Sequence, residues 1–177
     1  MSKHSQSLSI AYIHTMLFQT KTFTQHDDYM TPAHVWQDID EYIPKDKTIW
    51  ECFYGDGTSG QHLEQLGCDV IHDEIDFFEE EHGDVLISNP PFSMKKEAFT
   101  RLKELGKPFI MISPSSMICY KYFRELFKDE NIQIIIPRKR INFIKLVDGK
   151  TSQTKGCNFD CFYYCWKMNL SKDIIYL

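Results

Sequence analysis

Apolar positions along this chain fall into two alternating periods, one helical and one extended. After Thr31-Pro32, the residues Val35, Trp36, Ile39, Tyr42 and Ile43 recur at helical spacing until Pro44. That pattern predicts a helix with Thr31 as its N-cap and Pro32 as its first residue. Thr48 to Phe53 reads as a strand running into the turn Gly55-Asp56-Gly57, followed by a short helix that Gly67 closes. Asp69–His72 and Val85–Ser88 read as further strands, the second a buried one ending in Asn89-Pro90-Pro91-Phe92. Met94–Leu105 is a helical stretch closed by Gly106, and Pro108–Ser113 is a strand. Met117–Phe127 is helical again, Ile132–Ile136 is a buried strand, and Asn158–Lys167 is the last strand.

Strands that alternate with helices predict an α/β fold with a mostly parallel sheet, and ligands then sit at the carboxyl ends of the strands. Residues 138–157 carry no helical pattern, so the last strand is expected to return antiparallel as a hairpin. Residues 1–24 are polar and then mildly apolar, which predicts an arm laid over a single domain spanning 25–177.

Composition narrows the class. With 177 residues and 42% apolar content, the chain can build one full hydrophobic core. It has no run of 18 apolar residues, and its amino end lacks the apolar segment of a secretory signal, so a soluble intracellular protein is expected. The net charge of −5 conceals a polarity. Residues 1–92 hold 4 Lys and no Arg against 17 acids, whereas 93–155 hold 14 basic residues against 6 acids. An acidic first half and a basic second half suit a protein that holds a cation in one place and a polyanion in another. Of the six cysteines, Cys157, Cys161 and Cys165 are evenly spaced, but no Cys-x-x-Cys pair occurs and no His follows His82. Buried free thiols are expected, and no metal site.

Four segments carry candidate chemistry. In Glu51-x-x-x-Gly55-x-Gly57 the glycines fall where a strand turns into a helix, and there glycine admits both the turn and a close ligand. The leading acid suits a cationic ligand and argues against a phosphate cradle, and no Gly-Lys-Ser/Thr follows. The acidic stretch Asp73-Glu74-Ile75-Asp76-Phe77 follows the second strand, the position from which ribose hydroxyls are gripped. Asp73 and Glu74 are equally placed for that role. Asn89-Pro90-Pro91-Phe92 is the decisive segment: a motif of this class arises by chance in roughly 0.5% of chains this long, given Pro near 5% of residues. From Arg138 to Lys155 the net charge is +5, with Asn142 and Phe143 interleaved among Arg138, Lys139 and Arg140. Phosphate contact plus base stacking would use such a segment, and Lys95 and Lys96 would extend the surface.

Together these motifs resemble the S-adenosylmethionine-dependent amino methyltransferases that act on adenine N6 in nucleic acid. The resemblance covers about residues 28–167, with Tyr29-Met30-Thr31-Pro32 as the leading motif, Glu51–Gly57 as the cofactor loop and Asn89–Phe92 as the catalytic motif. It implies a Rossmann-like class I methyltransferase sheet with S-adenosylmethionine as cofactor. Tyr29, Thr31, Pro32, Glu51, Gly55 and Gly57 would surround its methionine part, Asp73 or Glu74 its ribose, and Asp76 with Phe77 its adenine. Asn89, Pro90, Pro91 and Phe92 would perform catalysis, by accepting the hydrogens of the target amine and stacking on its base. Only about a dozen residues separate the second strand from Val85, so the third strand of such a sheet is expected to be missing.

A minimal adenine-N6 DNA methyltransferase is therefore the leading expectation, viral or from a mobile element, with or without a cognate restriction nuclease. DNA is the favoured partner. An adenine-N6 RNA methyltransferase and a non-catalytic nucleic-acid-binding subunit are the alternatives, and a protein-glutamine methyltransferase fits the basic segment poorly. The length leaves no room for a separate target-recognition domain, so homodimerisation or the 138–157 hairpin would supply specificity.

Overall fold

The protein is described from a computed structural model over residues 29–147, 150–153 and 159–177, with residues 146–147 and 150–153 described by their backbone alone. The expected arm at 1–24, together with Lys155, Cys157 and Asn158, lies outside the described residues, as does the side chain of Lys150.

The strands are β1 (Tyr29–Met30), β2 (Thr48–Trp50), β3 (Asp69–Ile71), β4 (Val85–Ser88), β5 (Phe109–Pro114), β6 (Ile132–Ile136), β7 (Ile144–Val147), β8 (Lys150–Gln153), β9 (Cys161–Trp166) and β10 (Ile174–Tyr176). The α-helices are α1 (Ala33–Gln37), α2 (Thr58–Gln65), α3 (Lys95–Leu105) and α4 (Lys121–Phe127), with 3-10 turns at Asp40–Tyr42, Phe92–Met94 and Ser115–Cys119. Seven strands form one sheet in the order β10-β6-β9-β5-β4-β2-β3. Within it β3, β2, β4 and β5 run parallel, as do β10 and β6, and only β9 is antiparallel to its two neighbours.

This is an α/β, Rossmann-like fold. Among the described residues β3 is one edge of the sheet, so no third strand lies beyond it. The antiparallel strand is β9, inserted between β5 and β6, but it is not the last: β10 follows and adds in parallel to the outer side of β6. Its signal is short, because a three-residue edge strand with Ile174 and Tyr176 exposed shows no apolar run. The 138–157 connection also differs from a plain hairpin loop. It contains β7 and β8, and β7 pairs with β1 on one side and β8 on the other to make a second, three-stranded sheet. The first helix starts at Ala33, one residue later than expected. Pro32 is the extended residue before it, and Thr31 is buried without a capping hydrogen bond.

Alternation along the central strands explains why both faces are covered. On one face Ile49, Val85, Ile87, Ile110, Ile112, Tyr163 and Cys165 pack with Val35 and Trp36 of α1 and Leu63 of α2. On the other, Trp50, Leu86, Phe109, Met111, Tyr164 and Trp166 pack with Phe99 and Leu102 of α3 and Phe123 and Phe127 of α4. Cys161 and Cys165 share the first face, as an even spacing along a strand requires. Cys52 and Cys68 are also buried free thiols, and Cys119 is exposed.

The Tyr163 hydroxyl donates to the Val35 carbonyl at 2.7 Å and so ties β9 to α1 through the core. Burial raises the ionisation of this phenol far above its usual range, so it stays a neutral donor. Tyr163→Phe should cost about 1 kcal/mol of stability, read as a lower urea midpoint at unchanged slope.

Candidate active site

β4 and its parallel neighbours β2 and β5 deliver the candidate residues to one edge of the sheet. Glu51 directly follows β2, and Asn89 directly follows β4. The two are joined through Ser88, the last residue of β4, which is fully buried. Its hydroxyl donates to Glu51 Oε1 and accepts the Phe53 N–H at 3.3 Å. Glu51 is 1% exposed, and its other oxygen, Oε2, has no hydrogen-bond partner among the described residues. Burial pushes the Glu51 carboxyl up to about 8, against the opposing effect of the Ser88 hydrogen bond.

The glycine turn lies beside this carboxyl. Gly57 has φ +79°, a left-handed conformation that favours glycine, and a Cβ there would lie 2.8 Å from the Tyr54 hydroxyl and displace that ring. Gly55, at φ +59°, stands against Met30 of the leading motif, whose sulfur would be 3.3 Å from an added Cβ. The Asp56 carboxylate accepts from the Thr58 N–H at 3.0 Å and from its hydroxyl at 2.6 Å, which fixes the start of α2.

Asn89 is held from the other side. Its Nδ2 donates to the Tyr29 carbonyl at 3.3 Å, whereas its Oδ1 is buried with no partner among the described residues. The Tyr29 and Phe92 rings lie 5.8 Å apart. Phe143 meets Tyr29 at 5.9 Å and Phe92 at 5.7 Å, and Phe159 meets Phe92 at 5.0 Å. Pro90 is buried and Pro91 half-buried. These prolines supply no backbone N–H and hold φ nearly fixed, so the turn has little freedom.

The structure therefore brings Tyr29, Thr31, Pro32, Glu51, Gly55, Gly57, Asn89, Pro90, Pro91 and Phe92 to the β2–β4 end of the sheet and its flank. Asp73, Glu74 and Asp76 are exposed after β3, where Asp76 accepts the Phe78 N–H at 2.9 Å. Two aromatic residues are placed differently from expectation. Phe77 is 3% exposed and packs on Phe53 at 4.7 Å and Trp50 at 5.7 Å, so it is core beneath the half-buried Phe53 ring rather than a contact surface. Phe143 is 1% exposed and supports the Tyr29–Phe92 pair from beneath, so it is not a surface ring for a splayed base. Both stand in segments rich in charged residues, and such a segment does not reveal which of its apolar side chains point inward.

Arg138, Lys139 and Asn142 are exposed, and Arg140 pairs with Asp160 at 2.6 Å. With Asp38 and Glu41 of the α1 region they line a groove of about 660 Å³, so its charge is mixed. Lys95 Nζ donates to the Phe92 carbonyl at 3.1 Å. Ser88 was absent from the candidates: a lone serine in an apolar run carries no signal until its neighbours across the sheet are known. Among the described residues no group of three or more metal-capable side chains gathers, and no helix is long and apolar enough to cross a membrane.

A family model described as adenine-specific methyltransferase EcoRI matches residues 14–155, and the chain belongs to that family. No curated protein matches. Among solved structures the chain is similar to an S-adenosylmethionine-dependent O-methyltransferase from Thermotoga maritima, with 13% identity and a TM-score of 0.34. That match covers 67% of this chain and 49% of the other, so the chain spans about half that enzyme's length. Membership in a methyltransferase family makes S-adenosylmethionine the cofactor. The residues present fit it: Glu51 offers an ammonium a buried carboxylate oxygen with no partner among the described residues, and the left-handed turn at Gly57 favours a residue without a side chain.

A cation beside Glu51 favours its ionised form, so cofactor binding near pH 7 should release a proton, seen in calorimetry as a buffer-dependent enthalpy. Without cofactor the raised Glu51 ionisation makes stability depend on pH. The unfolded Glu51 ionises near its ordinary 4.5, and the folded one holds its proton to about 8. Its favourable contribution is full below 4.5 and lost as the pH rises through 8. Glu51→Gln should melt above the natural protein at pH 8, with the margin closing toward pH 5, and should lose stabilisation by cofactor.

Proposed function

We propose that this protein transfers a methyl group from S-adenosylmethionine to the exocyclic N6 of adenine in DNA. The observation that carries this reading is Asn89 Oδ1, a buried acceptor with no partner, fixed at the end of β4 beside the Tyr29 and Phe92 rings. The buried acceptor carries a desolvation cost that a donor from a substrate would relieve.

The cofactor supplies an electrophilic methyl group on a sulfonium that is already a good leaving group. The work left to the chain is to make an aromatic amine nucleophilic. Its lone pair is delocalised into the ring, so Asn89 Oδ1 and the Pro90 carbonyl accept its two hydrogens and draw the nitrogen toward tetrahedral geometry. The paired prolines hold that carbonyl still, and Phe92, backed by Phe143 and Phe159, offers a supported ring to the base. The adenine reaches this site out of the helix stack or from a single strand.

In this reading Glu51, Gly55, Gly57, Tyr29, Thr31 and Pro32 enclose the methionine part of the cofactor. Asp73 or Glu74 holds the ribose and Asp76 the cofactor's adenine, with Phe77 acting from beneath through Phe53. Lys95, Arg138, Lys139 and Asn142 meet the nucleic acid, and Arg140 does so if Asp160 releases it. Family membership and the unpartnered Asn89 oxygen support the adenine target, and the basic second half supports a nucleic-acid substrate.

Radiolabelled methyl transfer to duplex DNA, single-stranded DNA and RNA tests this. Label is expected on DNA as N6-methyladenine, and Asn89→Ala should lower kcat about 10²–10³-fold while leaving thermal stabilisation by S-adenosylmethionine intact. Label on RNA alone would replace the DNA reading, and cofactor binding without transfer to any of the three would overturn both.

A further inference from the structure

Four large apolar residues are exposed among the described residues, and two of them, Ile118 at 46% and Tyr120 at 38%, belong to one short segment. That segment is the 3-10 turn Ser115–Cys119 and Tyr120, which directly follows β5. Because β4 and β5 run parallel, with Ser88 opposite Met111, it emerges at the same edge of the sheet as Asn89–Phe92.

The segment is anchored. Ser115 N–H donates to the Asp160 carbonyl at 2.7 Å, and Met117 is fully buried. The Tyr120 ring stacks on Tyr122, with centroids 5.5 Å apart and planes within 11°. Tyr122 is itself held by its hydroxyl against Met117 Sδ at 3.2 Å. An exposed aromatic ring is thus kept in one orientation by residues that have no other evident use for it.

A single cation joins this ring to the catalytic turn. Lys95 Nζ lies 3.1 Å from the Phe92 carbonyl and 5.4 Å from the centre of the Tyr120 ring. Among the described residues Lys95 makes no ion pair with a carboxylate. Its flexible stem lets the ammonium swing from the Phe92 carbonyl and off the Tyr120 ring to a phosphate, which opens that ring face to a base.

We propose that Ile118, Tyr120 and Lys95 form a subsite for the nucleotide adjoining the target adenine, whose base packs on Ile118 and Tyr120 and whose phosphate meets Lys95. This rests on the nucleic-acid substrate read above. A fixed aromatic platform with a neighbouring ammonium is the pairing that a splayed strand needs, because every base has a face to stack and every nucleotide carries one phosphate. A target base that has left its stack deprives its neighbour of a stacking partner, and Tyr120 restores one.

Binding of fluorescein-labelled, adenine-containing single-stranded and duplex oligonucleotides, followed by anisotropy with the cofactor present, tests the subsite. Tyr120→Ala should weaken binding about fivefold or more, with thermal stabilisation by S-adenosylmethionine unchanged. Tyr120→Trp should keep the affinity, and its added indole emission should be quenched by the oligonucleotide. Should Tyr120→Ala fail to fold, that quenching alone decides the matter. Unchanged affinity in Tyr120→Ala, or no quenching in Tyr120→Trp, would overturn the subsite and leave the methyltransferase reading standing. A natural protein that binds no oligonucleotide, while still binding cofactor, would overturn the nucleic-acid reading and the subsite with it.

Discussion

The hydroxyl of Ser88 is the point on which the site depends. It lies between two parallel strands whose other inward positions are apolar, and it bonds at once to the Glu51 carboxyl and the Phe53 N–H. A carboxyl buried this deeply is cut off from solvent, and Ser88 supplies its side-chain hydrogen-bond partner. With Ser88 in place, Glu51 is oriented with one oxygen used and one left over, and the loop after β2 is pinned to the end of β4. Asn89 is the next residue along, so the glycine turn after Glu51 and the Asn89–Phe92 turn share a single support. The price is a strained electrostatic state, expressed in the raised ionisation of Glu51, which a cationic ligand relieves.

The second support is aromatic. Tyr29, Phe92, Phe143 and Phe159 come from four separate segments and meet edge to face or tilted. Such contacts add about 0.5–1.5 kcal/mol each beyond simple burial and are directional, so they set the angle of the Asn89–Phe92 turn as well as its depth. Phe143 was read as a surface ring because it stands among basic residues. Its actual place shows that the basic segment carries its own apolar anchor into the core.

The central sheet was readable because its strands are buried on both faces and therefore appear as short apolar runs, as at Val85–Ile87 and Ile134–Ile136. The candidate site was readable to the extent that chemistry demanded unusual residues at strand ends: paired prolines after Asn89, and glycines at positive φ after Glu51. What escaped has a common cause. β1, β7, β8 and β10 are two to four residues long and lie at edges or outside the main sheet, where apolar periodicity has too little length to register. Ser88 and Phe77 escaped for a different reason, since the direction of a side chain depends on partners distant in sequence.

The small sheet β1-β7-β8 pairs Tyr29 with Lys145 and Met30 with Ile144, and so makes the leading motif and the basic segment one backbone unit. Met30 touches the glycine turn, Tyr29 holds Asn89, and the same ladder carries the chain that began at Arg138. A ligand that stiffens either end of this ladder changes the conformational entropy left to the other. On the proposed reading, cofactor and polyanion would then be thermodynamically linked, and linkage is reciprocal: whatever factor the first lent to the affinity of the second, the second would return.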